Sequence, residues 1–208
     1  MSAKHHTRIK VCGITRLEDA LAASRLGVDA VGFVFYAKSP RYLSPDKAAT
    51  IIRQLPPFVS AVGLFVNPTQ EEIAEVLQTV PLGVIQLHGD ESPAFCKSQR
   101  RRVIKAIAVS SKEDLKQASK YDCPLLLDAK APEGVYGGTG TSFDWSLLEG
   151  FEHHHPLILA GGLNATNIEE ALSHRQWFAV DVSSGVEVSP GIKDDTKLSD
   201  FVGRVNAF

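Results

Sequence analysis

The chain has 208 residues, 44% of them apolar and 22% charged, with a formal net charge of -2. That length suits one well-buried core and is short for two independent domains. The near-neutral balance gives no footing for nucleic acid or an anionic membrane surface, and three irregularly spaced cysteines make neither a disulfide framework nor a zinc site.

The first predicted element is a strand, Ile9–Cys12, behind a polar stretch (residues 1–8) that reads as an extension without a signal-peptide core. Thr15 and Glu18 have capping-box spacing, and Leu17, Ala20 and Leu21 repeat at helical spacing, so a helix is expected directly after Cys12. Further β-branched apolar runs predict strands at Ala30–Phe35, Ser60–Phe65, Gly83–Leu87, Val103–Ala106, Leu125–Asp128, Leu157–Ala160 and Phe178–Val182. Between them, Ser44-Pro45 and Ser92-Pro93 pair an N-cap with proline at the first helical position, and Thr69 with Glu72 forms a capping box. The basic run Arg100-Arg101-Arg102 with Lys105 is short and lacks aromatic interleaving, and reads as a solvated helix end. After Asp128 only Phe143–Leu148 offers helix, a turn or two, while Leu198, Phe201, Val202 and Val205 form the stripe of a closing helix. No apolar run approaches the ~20 residues of a membrane span, so a soluble, cytoplasmic protein is expected.

Eight strand–helix units in about 200 residues predict an α/β protein, a single (β/α)8 TIM barrel over residues 1–208. An open doubly wound sheet is the alternative, and would ordinarily have fewer strands or a longer chain. No helix face is conspicuously over-apolar, so either a monomer or a homodimer fits.

In a barrel, chemistry sits at the carboxyl ends of the strands. Here those ends hold Cys12, the stretch from Phe35 to Arg41, Asn67, the stretch from Gln86 to Gly89, Asp128, Gly161-Gly162 and Ser183-Ser184-Gly185. Glycines and serines after strands seven and eight suit a phosphate, because the backbone can approach an anion and hydroxyls add donors; tight turns are the plainer reading. The loop after strand six contains Gly137-Gly138-Thr139-Gly140 and suits a lid, although a disordered loop has the same composition. Cys12 and Asp128 would face each other across the mouth, one as base and one as acid, which is the logic of an isomerase. A buried structural cysteine is the alternative for Cys12. His88 is a possible partner for a cysteine nucleophile, or a structural or substrate-contacting residue. The few carboxylates at the mouth disfavour a metal there. Arg41 could fork onto a carboxylate opposite the phosphate, if it is not simply a surface arginine.

The motifs Lys10-Val11-Cys12-Gly13-Ile14-Thr15, Gly32-Phe33-Val34-Phe35, Ser39-Pro40-Arg41-Tyr42, Gln86-Leu87-His88-Gly89, Leu127-Asp128, Phe143-Asp144-Trp145, Gly161-Gly162-Leu163 and Asp181 to Glu187 occur in order. Together they resemble the phosphoribosylanthranilate isomerase family of tryptophan biosynthesis, from about Ile9 to the carboxyl end. The resemblance implies an Amadori rearrangement of a phosphorylated small-molecule substrate without a cofactor. By carry-over, Asp128 is the general acid, Cys12 the general base, and Arg41 the holder of the anthranilate carboxylate. The substrate-binding set is completed by His88, Gly138, Gly140, Gly161, Gly162, Asp181, Ser183, Ser184 and Gly185. His153-His154-His155 has no matching role; a metal or tag function is one reading, and a solvated connection before strand seven the plainer one. A related phosphate-binding barrel, such as an indole-glycerol-phosphate-synthase-like enzyme, would be expected to place a lysine at a strand end as its acid. A barrel that only senses a phosphorylated metabolite would be expected to lack the acid or the base.

Overall fold

A computed structural model describes residues 6–129 and 145–208. Eight parallel strands close into a barrel: β1 (Arg8–Val11), β2 (Ala30–Val34), β3 (Ser60–Phe65), β4 (Val84–Leu87), β5 (Arg102–Val109), β6 (Leu125–Ala129), β7 (Leu157–Leu159) and β8 (Ala179–Val182). Closure is made by β8 against β1, in the register Arg8 to Ala179 through Val11 to Val182. Arg8, at the end of the expected extension, is therefore part of the sheet. The doubly wound alternative is excluded by this closure.

Local sequence explains most of the helices. Helix α2 (Pro45–Ile52) starts with proline after Ser44, and α3 (Gln70–Thr79) carries the full Thr69–Glu72 capping box. In α4 (Pro93–Lys97) the Ser92 hydroxyl accepts from the Phe95 N–H. A second capping box, Ser111 with Asp114, opens α5 (Lys112–Ala118); its Ser-x-x-Asp spacing was readable in the sequence. Helix α6 (Ile168–Ser173) is short, and α7 (Asp195–Ala207) buries Leu198, Phe201, Val202 and Val205. Each of those four side chains contributes roughly 1.5–3 kcal/mol by leaving water.

One local expectation fails and another holds only in part. Helix α1 (Leu17–Arg25) has Arg16 at its N-cap and no side-chain cap, because Thr15 instead donates to the Gly191 carbonyl. Arg16 turns to Asp19, with Nε 3.1 Å from Oδ2. The basic run is a solvated helix end only in part: Arg100, Arg101 and Arg102 are exposed beyond α4, but Arg102 already begins β5, and Lys105 is buried with Nζ 2.9 Å from Glu91 Oε2. Lys105 also donates to the Gly89 carbonyl at 2.6 Å, so its charge holds the loop after β4 rather than facing solvent. Within the expected helix Phe143–Leu148, the described part is a single 3-10 turn, Trp145–Leu148.

The core divides into three clusters. Phe33, Ile85, Trp177 and Phe201 lie in the large cluster that joins the barrel to its helices. Small side chains, Ala106, Ala160 and Ala179 with Leu126 and Ile158, form a second cluster, and Cys12, Val34 and Leu64 a third. Past β8 the chain makes a 3-10 turn (Ser184–Val186) and a hairpin of β9 (Glu187–Ser189) and β10 (Ile192–Lys193). Among the described residues, no helix is long and apolar enough to cross a membrane.

Candidate active site

Cys12 follows β1 directly, with its backbone N–H 2.8 Å from the Val182 carbonyl of β8. It is a free thiol and 5% exposed. Two residues earlier in β1, Lys10 lies on the same side: a Cβ on Gly32 would meet both Cys12 Sγ and Lys10 Cε within 3.3 Å. Lys10 Nζ is 2.8 Å from Asp181 Oδ1, and both residues are buried. Burial opposes the charge on Lys10, but Asp181 and Cys12 outweigh it and hold its pKa above the ordinary lysine value. Burial pushes the Cys12 thiol up; Lys10 pulls it down, Asp181 adds to the rise, and Lys193 again lowers it, leaving the thiol above its usual range.

Asp128 lies in β6, across the barrel from β1. Its Oδ2 is 3.2 Å from His88 Nε2, and His88 Nδ1 is 2.9 Å from Gln86 Nε2. With the Gln86 amide donating to Nδ1, the His88 hydrogen is on Nε2 and points at the Asp128 carboxylate. His88 is therefore tied to the acid, not to the cysteine.

The loops after β7 and β8 come together beside these groups. Gly161 and Gly162 both take positive φ, 85° and 63°. A side chain at 161 would put a Cβ 2.5 Å from the Ala129 backbone nitrogen and 3.1 Å from Asp128 Oδ1, so only glycine lets this loop lie against the acid. Gly185 lies so close to the loop after β7 that a Cβ would sit 2.0 Å from the Leu163 carbonyl oxygen. Ser183 and Ser184 precede it in the same turn. Gly138 and Gly140 lie outside the described residues.

Arg41 reaches the site from the loop after β2, and is not a surface arginine. Its Nε lies 3.0 Å and 3.2 Å from the two Glu187 carboxylate oxygens, and its Nη2 lies 2.6 Å from Oε2. Glu187 is shared with Lys193, whose Nζ is 2.8 Å from Oε1 and donates to the Cys12 carbonyl at 2.6 Å. The hairpin after β8 thus joins the arginine of loop two to the backbone of the cysteine.

The roles of Lys10, Gln86, Glu187 and Lys193 emerge only from the structure. A lysine inside an otherwise apolar strand, two residues before a reactive cysteine, was the available signal for Lys10, since alternation puts both on one face. For Lys193 the signal was the Pro190-Gly191 turn, which marks a hairpin.

The fold and its mouth are those of a (β/α)8-barrel enzyme, with ionisable groups at the ends of β1 and β6 and a glycine–serine cradle after β7 and β8. A family model described as N-(5'phosphoribosyl)anthranilate (PRA) isomerase matches residues 9–204, and the chain belongs to that family. It is 53% identical over 201 residues to the N-(5'-phosphoribosyl)anthranilate isomerase of Acidithiobacillus ferrooxidans, covering 95% of this chain and 97% of that protein. Among solved structures, it is similar to phosphoribosyl anthranilate isomerase from Thermotoga maritima, with a TM-score of 0.89 and 47% identity, over 97% of this chain and all of that one. It is also similar to a phosphoribosyl anthranilate isomerase in complex with reduced 1-(o-carboxyphenylamino)-1-deoxyribulose 5-phosphate, with a TM-score of 0.86 and 44% identity, covering 97% of this chain and 100% of the other.

Proposed function

We propose that this chain converts N-(5'-phosphoribosyl)anthranilate into 1-(2-carboxyphenylamino)-1-deoxyribulose 5-phosphate, with Asp128 as general acid and Cys12 as general base. The observation that carries the reading is the placement of the two groups: Cys12 after β1 and Asp128 in β6, on opposite sides of one barrel mouth. The similarity to a relative crystallised with the reduced product supports the substrate.

The proton on the Asp128 carboxyl passes to the ribose ring oxygen as the C1'–O bond breaks, and the nitrogen lone pair forms the C1'=N iminium. His88 holds the carboxyl in place for that transfer. The iminium acidifies the C2' hydrogen, which the Cys12 thiolate removes. The C2'–H electrons form the C1'=C2' bond while the C=N pair returns to nitrogen, giving an enolamine. That enolamine gains a proton at C1' and loses one from the C2' hydroxyl to become the ketone. No atom is gained or lost overall, so the reaction itself calls for no redox partner.

The ends of the substrate are held apart. The phosphate suits the loops carrying Gly161, Gly162, Ser183, Ser184 and Gly185, because glycine lets the backbone approach an anion closely and serine hydroxyls add donors. Arg41 engages Glu187 through Nε and Nη2, which leaves further donors of its five N–H groups for the anthranilate carboxylate. Asp181 acts through Lys10, whose ammonium stands beside the sulfur and favours its thiolate.

The test is a fluorescence assay on substrate generated in situ, comparing the wild type with Asp128→Asn. Rapid loss of substrate fluorescence in the wild type, and a large fall in rate in the variant, is expected. Folded wild-type protein that turns nothing over would end the isomerase reading, and an unimpaired variant would remove Asp128 as the acid.

A further inference from the structure

At the opposite end of the barrel, the connections entering β6 and β7 bring together Asp122, His154 and His155. One ligand atom from each lies within 4.8 Å of the others. We propose that these three residues bind a divalent transition-metal ion of the zinc class, at a site separate from the catalytic mouth.

The sheet register builds the cluster. Leu125 of β6 pairs with Leu157 of β7, so the residues three positions before each, Asp122 and His154, come opposite one another. His155 Nε2 is already 2.8 Å from Asp122 Oδ1. Two ligand atoms ~2.1 Å from one ion can be at most ~4.2 Å apart, so only small rotations of exposed or half-exposed side chains are needed.

His153 serves as the staple. Its Nδ1 accepts from the His155 N–H at 3.2 Å, and its Nε2 donates to the Tyr121 carbonyl at 3.1 Å. Both ring nitrogens are thereby occupied, and the two connections are clamped before any ion arrives. Two imidazoles and one carboxylate suit zinc, nickel or copper ions and disfavour calcium and magnesium, which take oxygen ligands. Water would complete the coordination, because three protein ligands leave a tetrahedral site open. The ion would cross-link the entries to β6 and β7.

Calorimetric titration of tag-free protein with zinc chloride at neutral pH tests this. Saturable one-to-one binding is expected, weakened roughly 10- to 100-fold in His154→Ala and in Asp122→Asn. Isomerase activity should be the same in both variants as in the wild type, since neither residue approaches the mouth. Absence of saturable binding up to millimolar zinc would overturn the proposal. So would binding that both variants retain undiminished, which would place the ion elsewhere on the chain.

Discussion

The ammonium of Lys10 and the carboxylate of Asp181 form a buried ion pair, 2.8 Å apart, between the first and last strands of the barrel. Removing one member strands the other charge in a low-dielectric interior. Lys10→Met is therefore expected to destabilise the fold by about 3–5 kcal/mol, whereas Lys10→Met with Asp181→Asn should recover much of it. Urea unfolding of the single and double variants measures the difference; equal losses in both would remove the pair as a unit.

Cys12 is predicted to be a slow-alkylating thiol until alkaline pH. Burial raises its pKa above the ordinary 9.0, so iodoacetamide labelling should reach half-maximal rate above that pH in ligand-free protein. The same midpoint should move higher in the Lys10 variant, where the counter-charge is gone. Cys12→Ser should lower turnover by about 10²–10⁴ while leaving the thermal midpoint nearly unchanged.

Arg41→Lys keeps the charge and loses the planar fork. Loss of charge-assisted hydrogen bonds of about 1.5–3 kcal/mol corresponds to a KM roughly 10- to 150-fold higher, with kcat less affected. Steady-state kinetics separates the two, and an unchanged KM would remove Arg41 from substrate binding.

Glu187 gives a pH-dependent contribution to stability. Burial would raise its pKa, but Arg41 and Lys193 outweigh burial and hold it below the ordinary 4.5. Its stabilisation is thus fully present above that value and is lost as pH falls through the lowered one. Glu187→Gln should be less stable at neutral pH and lose less on acidification, read by denaturant melts from neutral to about pH 3.

Gly161→Ala tests the loop beneath the acid. A positive φ of 85° and a 2.5 Å approach to the Ala129 nitrogen leave no room for a methyl group. Strain of about 1–3 kcal/mol is expected. Displacement of Asp128 by even ~1 Å should cost about 100-fold in kcat. Normal kcat in a destabilised variant would separate the loop's structural role from any catalytic one.

All eight strands were legible because each is a short apolar run closed by polar or glycine residues, and their boundaries moved by three residues at most, at the carboxyl end of β5. The Thr69 and Ser92 caps were legible because capping is a local interaction. Thr15 departs from its local pattern for the converse reason: its hydroxyl is taken by Gly191, 176 positions away, and no local pattern reports that. The same blindness hid Lys105 among arginines and left Lys10, Glu187 and Lys193 without roles. Their partners are assembled only by the closure of the barrel and by the hairpin beyond it. Cys12 and Asp128 stood out because strand ends can be read one at a time.

The pairing of β1 with β8 gives the chain's synthesis a built-in order. Lys10 leaves the ribosome first, and Asp181 follows 171 residues later. At roughly 5–20 residues per second, the lysine waits on the order of 10–30 s for its counter-ion. Until then its charge stays in water and β1 has only one neighbour to join. A truncated product ending before β8 leaves Lys10 unpartnered and the cysteine's backbone N–H without the Val182 carbonyl. The mouth of this barrel is in that sense finished late, only when the eighth strand meets the first.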